Sequence, residues 1–216
     1  MAFAVHQCAR FTHDPKASHE EAVLRMCRHL QGTKTDGSIL KPNPELGIDM
    51  FVDADFAGLC RHEDNCDPIS ARSRTGIIIA LAGCPIDWAS KPQTMTATST
   101  MESEMIALSH GMRRLIPVKR TVNELLTCLG ASSSASHTTR MRVHEDNNGC
   151  IIMTHGRRMN PQTRHHSTEL WWFREKLEEH SIRLERTDSD KQLADVTTKS
   201  LLEVTFVKLR KKLCGW

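Results

Sequence analysis

Carboxylates at the ends of apolar runs are the residues of this sequence best suited to chemistry. In "FVDADFAG" an apolar run leads straight into Asp53 and Asp55. Glu102 and Glu104 stand near the start of a long helical pattern. Asp146 directly follows "MRVHE", and Asp195 sits in "QLADV" beside Leu193 and Val196. Taken singly, each has a plain structural role. Asp at a strand end caps a turn or helix, and Glu in a first helical turn complements the macrodipole. Taken as a set, they are the oxygen donors that Mg²⁺ takes, with water and phosphate oxygens completing the octahedron. Two such ions about 4 Å apart hold a scissile phosphate, activate a water and stabilise the leaving oxygen. Gathered carboxylates repel one another, so bound cations would account for a cluster. Whether these residues gather is a question for the fold.

The elements that must position them follow from periodicity. "THDPKASHEEAVLRMCRHLQGTK" reads as a helix, with Asp14 as its cap, Pro15 in its first turn and Gly32 at its end. Its apolar stripe is Ala22, Val23, Met26 and Leu30. "TDGSILKPNPEL" is a turn-rich linker. "GIDMFVDADF" alternates at Ile48, Met50 and Val52, as a strand does, and "TGIIIALAGCPIDWAS" reads as two strands about a turn at residues 82–85. A long helix is expected from Ser99 to Leu129 on the stripe Met101, Met105, Leu108, Met112 and Leu115, with Pro117 kinking or breaking it. "MRVHE" is a short strand, "DNNGCIIMTHG" a turn into a short helix, "STELWWFREKLEEHS" a helix and "IRLERT" a strand. "DKQLADVTTK" is a helical turn and "LLEVTFVKLRKKL" a final helix. The order β-β-β-α-β-α-α-β-α places the chain in the α/β or α+β class with a mixed sheet. Of Trp171, Trp172 and Phe173, two are expected in the core.

With 216 residues and a net charge of +3, the chain has the make-up of an ordinary soluble globular protein of one domain with an appendage, or two small domains. No apolar stretch approaches the roughly 20 residues that span a bilayer, and the opening "MAFAVHQCARFTHDP" does not read as a signal peptide. Basic stretches such as "GMRRLIPVKR", "THGRRMNPQTRHH" and "VKLRKKLCGW" favour a phosphate-rich partner. Eight cysteines without a CxxC pair point to reduced thiols. Cys60, His62 and Cys66 supply three local ligands of a zinc site with no second half, so a solvated loop is expected there.

At "VDADFAG", "SRTGIIIALAGCPIDWASK", "STMESEMIALS", "HEDNNGCIIM", "QTRHHSTELWWFREK", "QLADVTTKSL" and "LRKKLCGW" the chain resembles the ribonuclease H region at the C-terminal end of copia-type LTR retrotransposon polyproteins. The resemblance runs in order from about residue 48 to Trp216. The leading "CARFTHDPKASHEEAVLRMCRHLQGTKTDG" resembles the segment that joins reverse transcriptase to ribonuclease H in that family. It implies a ribonuclease H-like fold, a mixed five-stranded sheet flanked by helices, in residues 41–216, with residues 1–40 as the helical connecting segment. It implies an endoribonuclease that cuts the RNA strand of RNA–DNA hybrids with two Mg²⁺ ions, for which Mn²⁺ can substitute.

On the family pattern Asp53, Asp146 and Asp195 are catalytic metal ligands, Asp53 bridging both ions. The fourth is a glutamate. Glu102 and Glu104 are separated by about 200° on a helix, so only one faces the site. The family's glutamate directly precedes an aromatic-Ile-Ala-Leu run, here "MIAL", which selects Glu104. Glu104 shares its flank with small Ala107 and Gly111, whereas Glu102 shares its own with Ser109 and Arg113 and is expected toward solvent. Asp55 is expected to serve the turn or a substrate edge. Arg72, Arg74, Lys91, Arg164 and His165 are the expected substrate contacts, with the "LRKK" run also a candidate. Position 56 is Phe where the family usually has Trp, and no His precedes Asp195, so no catalytic His is assigned. The implied partners are the hybrid and the reverse transcriptase part of the same polyprotein, with no membrane. The implied location is cytoplasmic, in the virus-like particle of the element, or nuclear. With no Tyr in the chain, a "YVDD"-type polymerase motif is absent, and the sequence reads as a terminal piece of a polyprotein. An inactive ribonuclease H-like scaffold or hybrid-binding module is the alternative, and an integrase-like or exonuclease relative is a third reading.

Overall fold

The apolar run that opens onto Asp53 is the central strand of a sheet. In the computed structural model, which describes residues 1–60, 68–130, 139–156 and 167–216, β1 (Gly47–Asp55) lies third in a five-stranded sheet. The others are β2 (Arg74–Leu81), β3 (Cys84–Pro92), β4 (Arg140–Glu145) and β5 (Ile182–Arg186), in the order β3-β2-β1-β4-β5. β1, β2 and β3 pair antiparallel, and β4 and β5 continue the sheet in parallel. Ala82 and Gly83, both at positive φ, make the two-residue turn between β2 and β3 whose twist suits a hairpin. This is the mixed, helix-flanked five-stranded sheet expected from the sequence.

One face of the sheet is covered by α3 (Thr100–Cys128) and α5 (Ser167–Glu179). Ile48, Met50 and Val52 from β1 meet Met105, Leu108, Met112 and Leu115 from α3 in the main core, with Leu170 and Phe173 from α5. Full burial of each such side chain contributes roughly 2 kcal/mol, which fixes the strand's register. A Cβ on Gly111 would come within 2.9 Å of Met50, so α3 lies flush on β1 only because that position is glycine. Pro117 does not break α3, which runs through it to Cys128. Phe173 is buried, Trp172 packs on the core and Trp171 is 54% exposed, as expected for two of three.

The other face carries a smaller core of Ile78, Leu193 and Leu209, closed by α6 (Asp195–Thr198) and α7 (Glu203–Cys214). α4 (Asn148–His155) follows β4, capped by the Asn147 side chain. Two helices precede the sheet. α2 (Ala17–Gly32) begins at Lys16, not Asp14, with the His19 ring accepting the Lys16 N–H. Its stripe has no buried residue, because α2 lies on the outside of the domain. α1 (Ala2–Ala9), which the short "AFAV" run did not announce, packs on β3 and α6. The turn-rich segment after α2 is stitched to α7: Ile39 N–H donates to the Cys214 carbonyl at 2.7 Å, and the Trp216 indole donates to Gly37 at 2.8 Å. Among the described residues, no helix is long and apolar enough to cross a membrane.

Candidate metal centre

Asp53, Glu104 and Asp146 each offer one carboxylate oxygen, and these atoms lie within 4.8 Å of one another. Three separate elements bring them there. Asp53 stands near the end of β1 and is only 2% exposed. Glu104 sits in the second turn of α3, whose start is fixed by capping: the Ser99 hydroxyl accepts the Glu102 N–H, and the Glu102 carboxylate accepts both the N–H and the hydroxyl of Thr98. Gln93 then ties that first turn to β2 by donating to the Ser103 carbonyl and the Thr75 hydroxyl. Asp146 follows β4, the parallel neighbour of β1, so its register delivers it beside Asp53.

The fourth expected acid, Asp195, opens α6 on the other face. The chain before it is lashed to β1 by Gln192, whose fully buried amide donates to the Val52 carbonyl at 2.8 Å. The Ser189 hydroxyl donates to Asp146 at 2.7 Å, and the Thr198 hydroxyl donates to Asp53. The Lys199 ammonium lies 2.8 Å from Asp195 and 3.6 Å from Asp53. Segment 189–199 therefore touches three of the four acids.

Burial and crowding work against ionisation here. Burial raises the Asp53 carboxyl above the usual range, against the pull of Lys199 and Thr198. Burial, then repulsion from Glu145, Asp53 and Asp146, raises Glu104 well above its ordinary value. Asp195 is pushed up to about 6 by burial and by Asp53. Lys199 is held charged despite its own burial by Asp53 and Asp195. One Glu104 oxygen, Oε2, is buried without a hydrogen-bond partner.

Sequence reasoning missed Glu145, a fifth acid at this cluster. It is fully buried, its pKa is driven well up by burial, and its Oε1 accepts the Asn147 N–H at 3.0 Å while Oε2 has no partner. The strand alternation of Met141, Val143 and Glu145 contained the signal, since all three share the core face. Glu102 is a second correction: it is 7% exposed and serves as a cap, because the capping turn folds its carboxylate back onto Thr98. Ser109, on the same flank, is fully buried. Asp55 lies against Gly58 in the turn after β1, where a Cβ on that glycine would collide with its carboxylate.

Of the expected substrate contacts, Arg74 is not on the surface. It is 4% exposed, donates to Ser90 and to Gln7 of α1, and lies under the Phe3 ring, because β2 is an interior strand roofed by α1. Lys91 is exposed on β3, and Arg72 is half-buried in the turn leading into β2. Arg164 and His165, and His62 and Cys66 of the cysteine loop, lie outside the described residues.

No family model matches the chain. Against curated proteins it is 28% identical over 215 residues to the retrovirus-related Pol polyprotein from transposon TNT 1-94 of Nicotiana tabacum, covering 100% of this chain and 15% of that protein. It is 27% identical over 213 residues to that from transposon RE2 of Arabidopsis thaliana, covering 99% and 14%. The chain is a homologue of the retrovirus-related Pol polyproteins of transposons. It spans about one seventh of the length of these Pol relatives. A secreted RxLR effector protein 161 of Plasmopara viticola is 33% identical over 116 residues, 54% of this chain and 76% of that protein. Among solved structures, an RNase H1 isolated from compost overlaps with TM-score 0.48 at 14% identity, over 70% of this chain and 92% of that one. The N-terminal RNase H domain of a Mycobacterium tuberculosis protein overlaps with TM-score 0.46 at 9% identity, over 76% and 99%.

Proposed function

We propose that this Pol homologue is a ribonuclease H, cleaving the RNA strand of RNA–DNA hybrids by metal-dependent phosphodiester hydrolysis, with Asp53, Glu104, Asp146 and Asp195 as its acids. The observation that carries the reading is the convergence of Asp53, Glu104 and Asp146 within 4.8 Å from three different elements. Burial and mutual repulsion work against charge in such a group, and a bound cation would offset both. The donors fit Mg²⁺, or Mn²⁺ in its place: all are carboxylate oxygens, and Glu104 Oε2 is buried with nothing to bond it. When bound, two such ions supply an acidified water and charge stabilisation for the departing 3′ oxygen.

The chain's own part is to hold the acids ready. The Thr198 hydroxyl holds one oxygen of Asp53 in place. Ser189 does the same for Asp146. Gln192 and the buried α6 seal the site from the side of α7, so the acids face a low-dielectric wall. Exposed Lys91 on β3 offers a phosphate contact, as do Arg72, Arg164 and His165 in this reading. The hybrid is recognised by its shape and ribose 2′-hydroxyls, and Lys and Arg grip its phosphates, so affinity falls steeply with salt. Residues 41–216 are the nuclease unit, and residues 1–40 connect it to the reverse transcriptase of the same polyprotein. The test is cleavage of a labelled hybrid by purified chain in Mg²⁺, wild type beside Asp53→Asn. Cutting by the wild type alone, at the RNA strand and not in duplex DNA, is expected. Equal cutting by both would refute the assignment.

A further inference from the structure

The acids of the site are not equally provided with positive charge. Glu104 and Asp146 feel the Lys199 charge least. Asp53 and Asp195, by contrast, share a cation. Among the described residues the cation within ion-pairing distance of both is Lys199, at 3.6 and 2.8 Å. This is not an ordinary salt bridge between successive turns of a surface helix. α6 ends at Thr198, and Lys199 has left the helix with φ −136° and ψ 163°. Its side chain turns back over a carboxylate that is almost wholly buried.

The packing builds this position deliberately. Gly76 of β2 is the register partner of Asp53. A Cβ there would stand 2.3 Å from the Thr197 hydroxyl and 2.4 Å from Thr198 Cγ2, so α6 presses directly on β2 beside the acid. Thr197 and Thr198 are buried in that contact, and Gln192 anchors the approach. Lys199 is the first residue beyond the lock. Its far side opens on a groove of about 480 Å³ lined by Phe3, Gln7, Arg25, Ser200 and Phe206 among others, which leaves the side chain somewhere to go.

Building on the metal-dependent reading, we propose that Lys199 is the resident cation of the Asp53–Asp195 pair, and that the second of two divalent ions must displace it. The first ion enters the open group Asp53–Glu104–Asp146. The second competes with an ammonium already seated, so the two ions bind in order and with unequal affinity. Lys199 is thus a positioning residue: it keeps Asp53 and Asp195 together while the second site is empty, and it sets the concentration at which that site fills.

The test is a titration of the full chain, without nucleic acid, with Mn²⁺ followed by loss of the free-ion electron paramagnetic resonance signal. Wild type is expected to take one ion tightly and a second more weakly. Lys199→Met should tighten the second step about tenfold and the first by clearly less, about threefold, since Lys199 lies 2.8 Å from Asp195 but also 3.6 Å from Asp53, which serves both sites. Lys199→Arg should behave as wild type. Without metal, Lys199→Met should melt earlier, and that deficit should vanish once both ions are bound. Lys199→Gln serves the same comparison if the methionine variant folds poorly. Equal tightening of both steps would reduce Lys199 to a remote charge and overturn the proposal, as would no change in either. A wild type that binds no Mn²⁺ would overturn the metal-dependent function itself. Two ions bound with no effect of Lys199 would overturn only this role.

Discussion

Asp49 and Asp53 stand four residues apart on β1, on the same face of the strand, and both are buried. Their surroundings are opposite. Asp49 is clasped by the Arg142 guanidinium at 2.6 and 3.0 Å and by the His144 ring at 2.9 Å, with Phe51 stacked on that ring. Burial raises its carboxyl, but the bonds to His144 and Arg142 outweigh it and hold Asp49 down to about 2. Asp53 is raised by burial, which the pull of Lys199 and Thr198 does not offset. One carboxylate has its charge answered by the protein. The other has its charge concentrated by it, which the fold tolerates only where something else supplies the answer. That difference is the one expected between a structural acid and one held for chemistry.

Exchanging each for its amide should expose the difference most strongly. Asp53→Asn should reduce hybrid cleavage to background, as should Glu104→Gln, and both variants should melt no earlier than wild type in the absence of metal. Asp49→Asn should do the reverse. It strands Arg142 and should cost about 3 kcal/mol in urea unfolding, with specific activity of the folded fraction retained. Loss of stability in Asp53→Asn would break the contrast.

A second variant acts between the two. Gly76→Ala should force α6 away from β2 and cost on the order of 2 kcal/mol, with hybrid cleavage reduced because Thr198 and Lys199 leave Asp53. Acidification gives the third test, and the signs oppose. The depressed Asp49 contributes stability above its unfolded value of about 4, lost as pH falls toward 2. The raised Asp195 costs stability as pH climbs from about 4 through 6 in metal-free protein. Melting temperature without metal should therefore pass through a maximum between these windows. Asp195→Asn should flatten the upper limb, and Asp49→Asn the lower. Smallest of all, Glu102→Gln should loosen the start of α3 by about 1 kcal/mol while leaving cleavage nearly intact. A severe loss of cleavage there would put the wrong glutamate in the site.

Much of this contrast was legible in the residues, and what was not has physical reasons. The alternation of Ile48, Met50 and Val52, the stripe of α3 and the hairpin turn are local patterns, and each element stands where its pattern puts it. Glu104 was told from Glu102 by the family's run "MIAL"; the helix angle, which said only that one of the two faces the site, turned Glu102 outward because it ignores a cap that folds the carboxylate back on its own turn. Arg74 was misjudged for a related reason. An arginine at a strand start reads as surface until a helix more than sixty residues away, α1, is seen to roof it. Lys199 belongs to no periodic pattern. Its meaning depends on a contact with a strand almost 150 positions earlier, and only the assembled sheet reveals it.

The bond from Gln192 to Val52 spans 140 positions, and that from Thr198 to Asp53 spans 145. Contacts of such sequence separation carry the heaviest loop-closure entropy and form late in folding. β1, β2 and β3 are neighbours in sequence, β2 and β3 through the two-residue turn at Ala82 and Gly83, so they can pair while the chain beyond them is still unstructured. Asp53 is then in place well before its partners from segment 189–199 arrive. The acidic group is consequently among the last parts of the molecule to mature. A nascent or partly folded chain carries every acid in its covalent structure and yet has no assembled centre, so the order of folding itself withholds the proposed metal site until the domain is whole.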